Sequence, residues 1–155
     1  MLIPSYTFDI SKFYQISNNA LIEHITRVGF IFYEKSKRYI EPDEVKNIIS
    51  QLPALLMKVG VFVNEDSDKV NEIAKLTGIN SVQLHSDEDN QYLERINYPI
   101  IKSFRVNEDF DYESLNSFEN YRWLLDTYSK DEYGGTGEGW NWENKHEKNQ
   151  SKISL

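Results

Sequence analysis

Residues 121–142 read YRWLLDTYSKDEYGGTGEGWNW, and the fold is decided here. A short apolar run, Trp123-Leu124-Leu125, stops at Asp126. A polar segment follows, then the glycine cluster Gly134-Gly135-Thr136-Gly137-Glu138-Gly139, then Trp140 and Trp142. Bulky apolar residues that end on a carboxylate and pass into glycines predict a buried strand feeding a loop of wide backbone freedom. In α/β proteins the carboxyl ends of strands, and the loops after them, are where catalytic side chains gather.

The same plan recurs upstream. Residues 28–33, VGFIFY, predict a strand covered on both faces, followed by the charged segment 34–38, EKSKR. Pro42 suits the first turn of a helix, and Val45, Ile48, Ile49 and Leu52 form an i, i+3, i+4, i+7 stripe. A second unit starts with residues 59–63, VGVFV, and stops at Asn64. Asp66 or Ser67 caps its helix, Val70, Ile73, Ala74 and Thr77 mark the inner side, and Gly78 ends it. A third strand, Val82-Gln83-Leu84, runs to His85, with Ser86 and Asp87 capping a helix that carries Tyr92, Leu93 and Ile96. A fourth, residues 100–104, runs to Arg105 before a helical segment around Tyr112, Leu115 and Phe118.

Strand alternating with helix predicts βαβ units and a parallel sheet. Polar residues sit where the apolar runs stop: Asn64, His85, Arg105 and Asp126, with Arg38 just past the first run. In a (β/α) barrel of the TIM type those ends converge on one face. The other topology is an open doubly wound sheet. Short repeat units, with no dinucleotide fingerprint after the first strand, favour the barrel, with about five recognisable strands.

The two ends read differently. In residues 1–27, Tyr6, Phe8, Ile10, Phe13, Tyr14 and Ile16 follow no clean period, and a helix is predicted over 17–27 with Leu21 and Ile25 on one face. Residues 143–155 form a polar tail with little to bury. The chain therefore divides into 1–27, a partial barrel over 28–142, and 143–155.

Composition narrows the function classes. At 155 residues, 39% hydrophobic and 14% aromatic, the chain has material for one folded domain. A net charge of -8 argues against nucleic acid as the main partner and draws in no anion from a distance. Cysteine is absent, which excludes disulfides, thiolate metal sites and cysteine nucleophiles. His24 and His146 lie in the two unpatterned ends and no metal-ligand spacing exists, so no metal is expected. The opening MLIPSYTFDI lacks the features of a signal peptide, and no apolar run approaches roughly 18 residues, so a cytoplasmic protein without a membrane span is expected.

Singly, the polar residues leave their roles open. Asp126 suits a catalytic acid or a turn acceptor. Arg38, after Lys35 and Lys37, suits an anion contact or a solvated basic turn. His85 suits a general base, a metal ligand or a hydrogen-bonded packing residue. The glycine cluster matches neither a Walker A sequence nor GxGxxG, and suits a mobile lid as well as an anion cradle.

Jointly, five segments resemble phosphoribosylanthranilate isomerases, in order and at suitable distances: VGFIFYEKSKRYI, KVGVFVNEDSDKVNEIAKLTGINSVQLHSDED, PIIKSFRV, YRWLLDT and GGTGEGWNW. The similarity covers residues 28–142. It implies a TIM barrel of tryptophan biosynthesis that performs an Amadori rearrangement of a small anionic phosphosugar-anthranilate, without cofactor or metal. By the resemblance, Asp126 is the general acid that protonates the ribose ring oxygen, and Arg38 holds the anthranilate carboxylate. Gly134, Gly135, Thr136 and Gly137 belong to the mobile loop after the sixth barrel strand. Gln83, His85 and Arg105 line the pocket wall.

Departures from the family pattern accompany the match. Family members open with a strand ending in a Lys-Ile-Cys-Gly type sequence whose cysteine is the general base, and this chain has no cysteine. Lys37 stands where the family usually has proline, and Ser86 where it has glycine. The chain is expected to stop where the seventh and eighth units, which carry the phosphate site, should begin. Two readings follow: an isomerase with weakened or lost activity, or a non-catalytic partial barrel that self-associates through unpaired sheet edges.

Overall fold

The structure is a computed structural model that describes residues 26–107 and 109–127. The helix expected over 17–27 lies outside them except at its end, where Arg27 opens a strand instead. The glycine cluster and the polar tail also lie outside the described residues.

Five strands form one sheet: β1 (Arg27–Ile31), β2 (Met57–Phe62), β3 (Ser81–Leu84), β4 (Ile100–Val106) and β5 (Arg122–Thr127). All four neighbouring pairs are parallel, in the order β1-β2-β3-β4-β5. Every crossover moves to the next position in one direction. A doubly wound sheet reverses that direction at a switch point, so the order is that of a barrel wall.

Among the described residues, three α-helices and a 3-10 helix cover one face: α1 (Pro42–Ile49), α2 (Ser67–Thr77), α3 (Asn90–Leu93) and the 3-10 helix Tyr112–Phe118. The local chemistry sets their limits. Pro42 opens α1, where its missing N–H is no loss. Asp66 caps α2 by accepting from the backbone N–H of Asp68 and Lys69, and Gly78, at φ 80°, closes it in the left-handed region. The cap expected from Ser86 and Asp87 is not made. Asp89 caps α3, accepting from the Tyr92 N–H, and α3 is only four residues long. The Ser86 N–H goes instead to the Glu88 carboxylate, and its hydroxyl accepts from the Asn64 N–H.

The helix-side core alternates along each strand. Phe30, Phe62, Val82, Leu84 and Ile100 pack with Val45 and Ile48 of α1 and Val70, Ile73 and Ala74 of α2. Val106, Trp123 and Leu125 pack with Leu115 in a second cluster, and the Trp123 indole N–H donates to the Phe118 carbonyl at 2.8 Å. Gly60 is required at its place in β2, since a Cβ there would meet Ile79 Cδ1 at 2.3 Å and Phe62 Cε2 at 2.9 Å. With the even-numbered residues of β4 turned to the helices, Ser103 and Arg105 turn to the other face. That face carries the site.

Candidate active site

Parity and register place Gln83, His85, Ser103, Arg105, Leu124 and Asp126 together on the face away from the helices. His85 continues β3, its N–H bonded to the Phe62 carbonyl of β2. Arg105 and Asp126 are register partners across β4 and β5. Four of the expected site residues are thus collected at the carboxyl ends of neighbouring strands.

Among them His85 and Asp126 are in contact, with Nε2 and Oδ2 3.1 Å apart. The two residues belong to β3 and β5, separated by β4, a span of about 10 Å between backbones. The imidazole bridges it above β4. His85 is buried, while the Asp126 side chain keeps 24% exposure. The Asp126 carboxyl is hydrogen-bonded to the imidazole, and its remaining exposure leaves it reachable by a ligand.

Arg38 lies on the turn after β1, exposed, with its backbone N–H bonded to Ser36 Oγ at 3.2 Å. The turn folds back so that Tyr39 bridges Ile31 and the Ile40 N–H donates to the Ile31 carbonyl. Because every strand runs the same way, this turn stands at the same end of the sheet as Asp126. Gly134, Gly135, Thr136 and Gly137 lie outside the described residues. Among the described residues, no group of three or more His, Asp or Glu could hold a metal ion. A cavity of about 820 Å³ opens at the opposite, N-terminal end of the strands, beside Met57, Ser81, Pro99 and Arg122. None of the expected site residues lines it.

The buried pair behind the site was not foreseen. Lys102, 2% exposed, faces the helices from β4. Its Nζ lies 2.6 Å from Glu88 Oε2 and also donates to the Ser86 carbonyl. It therefore anchors the turn that directly follows His85. A lysine two residues into the strand that opens with Ile100-Ile101 was the available signal, because a charge in a strand covered on both faces needs a buried partner.

The sequence profile of PRAI, N-(5'phosphoribosyl)anthranilate (PRA) isomerase, matches residues 9–155. The chain belongs to this family. The match extends beyond 28–142 at both ends. The N-(5'-phosphoribosyl)anthranilate isomerase of Thermotoga neapolitana is 43% identical over 117 residues, which are 74% of this chain and 57% of the relative. That of Trichodesmium erythraeum is 41% identical over 125 residues, 76% of this chain and 54% of the relative. The chain thus spans a little over half the length of the curated relatives it matches.

Solved structures agree. Phosphoribosyl anthranilate isomerase from Thermotoga maritima superposes with a TM-score of 0.69 at 33% identity, covering 81% of this chain and 60% of that one. A phosphoribosyl anthranilate isomerase in complex with reduced 1-(o-carboxyphenylamino)-1-deoxyribulose 5-phosphate superposes with a TM-score of 0.66 at 34% identity, over 77% and 60%. The five-stranded sheet is accordingly a TIM-barrel-type wall, as expected. Among the described residues, no helix is long and apolar enough to cross a membrane.

Proposed function

We propose that this chain carries the acid side of an N-(5'-phosphoribosyl)anthranilate isomerase site, which turns an aminoaldose into an aminoketose. The observation that carries the reading is the His85–Asp126 contact at the carboxyl ends of the strands, in a chain of this family. Asp126 gives its proton to the ribose ring oxygen as the C1–O bond breaks, leaving an open-chain imine. Loss of the C2 proton yields an enaminol, and protonation at C1 gives the ketone. C2 is oxidised as C1 is reduced, so the rearrangement balances without an external oxidant.

Arg38 is assigned to the anthranilate carboxylate, for which a guanidinium fork is well shaped. Gln83 and Arg105 are assigned to the wall, and Gly134, Gly135, Thr136 and Gly137 to the loop that closes over the substrate. With no cysteine in the chain, the family's base is missing. Loss of a general base removes about 10²–10⁴ in rate, so turnover by this chain is weak. The relatives named above are isomerases and do not favour the non-catalytic module.

Calorimetry with the reduced product analogue tests the reading. Binding that weakens in Arg38→Ala and is altered in Asp126→Asn is the expected result, and absence of binding overturns it. Expressed in a tryptophan auxotroph lacking the isomerase, the chain is expected not to restore growth; full rescue would contradict the missing base.

A further inference from the structure

The face that carries Asp126 holds two buried polar atoms that the proposed chemistry leaves unused. Among the described residues, His85 Nδ1 and Ser103 Oγ have no hydrogen-bond partner. Their residues are 6% and 4% exposed. Buried polar atoms in native proteins are nearly always paired, so each of these calls for a partner.

The two atoms belong to one place. Leu84 and Lys102 are register partners, so the next residues, His85 and Ser103, stand side by side with their side chains on the same face. Asp126 lies on the strand beyond. The imidazole therefore reaches its carboxylate across β4, at the position of Ser103. A small side chain leaves that passage open.

We propose that Ser103 is a positioning residue for the His85–Asp126 pair: its hydroxyl pairs with Nδ1 through one bridging water and holds the ring with Nε2 toward Asp126. A pair with a proton to give holds it on the carboxyl, with Nε2 accepting, or on the imidazolium. In both forms Nδ1 carries hydrogen and needs an acceptor. Once Asp126 has given its proton away, the ring must carry hydrogen at Nε2 to stay bonded to the carboxylate; it takes that proton from solvent, and when the Nδ1 proton is released in exchange, Nδ1 itself becomes the acceptor. A serine hydroxyl meets both demands by rotating about one bond, because it is donor and acceptor at once. Alanine meets neither. Lys102 and Glu88 do not substitute for it, because they face the helices.

The relevance to catalysis rests on Asp126 being the proton donor, but the contact itself is testable without turnover. The chain has three histidines, so ring nitrogens labelled with nitrogen-15 can be assigned to His85 by comparison with His85→Gln. In two-bond nitrogen–proton spectra, Ser103→Ala is expected to displace the Nδ1 resonance of His85 and leave His24 and His146 in place. Ser103→Thr, which keeps the hydroxyl in a strand-favouring side chain, is expected to restore it. An Nδ1 resonance indifferent to Ser103→Ala, or a threonine variant that behaves like alanine, overturns the proposal. The arms separate the two readings. A Ser103 response that persists in a chain unable to bind the product analogue removes the isomerase assignment alone, and analogue binding without that response removes the role of Ser103 alone.

Discussion

Replacing Lys102 by methionine tests the support beneath the site. The methionine fills nearly the same space but takes away the charge opposite Glu88 Oε2 in that 2.6 Å pair. The side chains are 2% and 6% exposed, so water cannot take over. Breaking a buried pair by removing one partner costs about 3–5 kcal/mol, since the other charge is left uncompensated. The Ser86 carbonyl loses its Lys102 donor as well, and the ammonium is withdrawn from the Phe104 ring, whose centroid lies 5.4 Å away. Against a total stability of about 5–15 kcal/mol, this is a large loss.

The cost should be recoverable. In Lys102→Met with Glu88→Gln the pair leaves no buried charge behind, and the introduced amide can still accept from the Ser86 N–H, which Glu88 holds at 3.1 Å. The double variant is expected to lie only about 1–2 kcal/mol below the wild type, from the orphaned carbonyl and the lost bond. The second substitution should therefore recover about 2–3 kcal/mol of the loss. Urea unfolding measures it: with a slope of about 2 kcal/mol/M, Lys102→Met should lower the midpoint by roughly 2 M and the second substitution should return most of that. The difference should persist in high salt, because buried pairs are little screened. A double variant no more stable than the single, or a single variant within about 0.5 kcal/mol of wild type, would refute the clamp.

Two further perturbations probe the frame. Burial, followed by the carboxylates of Glu88, Asp66 and Glu65, pushes the Tyr92 hydroxyl up to about 12 from its ordinary 10.0. A raised folded value gives stability that is intact below about pH 10 and lost as pH rises through about 12. Tyr92→Phe, which forfeits the 2.8 Å bond to the Glu65 carbonyl, should be about 0.5–1.5 kcal/mol less stable at neutral pH, with the gap narrowing in alkali; a constant gap across that range sinks the assignment. Gly60→Ala should cost about 1–3 kcal/mol, because the new methyl strikes the buried Ile79 and Phe62 side chains. An unchanged melting temperature in that variant would show that the β2 packing is looser than described.

How much of this was legible in the sequence differs by scale. Strands covered on both faces declare themselves as short Val-, Ile- and Phe-rich runs without strict alternation, which is why residues 59–63 and 100–104 were readable without a partner in view. The α2 limits were legible because Asp66 and Gly78 act on their own neighbouring backbone. The start of α3 was not. Ser86 has the chemistry of a cap, but Asn64, 22 residues away, claims its hydroxyl, and Lys102, 16 away, claims its carbonyl. Strand limits shifted for a related reason: β2 begins at Met57, where the Met57 N–H finds the Thr26 carbonyl, a contact invisible to local pattern. For the site, parity was enough to put Gln83, His85, Arg105 and Asp126 on one face. The bond across β4 was not foreseeable, since it depends on which side chain lies between.

That dependence explains why an acid side can be read in this chain without the base. His85, Ser103 and Asp126 come from β3, β4 and β5, which are consecutive in sequence and adjacent in the sheet. Their geometry is fixed by two register pairings and one buried clamp, all within residues 81–127. The family's base falls, by the reading proposed above, outside that segment, and none of these pairings includes a residue before 81. Under that proposal proton donation and proton abstraction are separable, and analogue binding is expected to persist where turnover does not. If Asp126→Asn and Ser103→Ala disturbed the chain only through its stability, this separation would have no chemical content, and the ring-nitrogen spectra would show it.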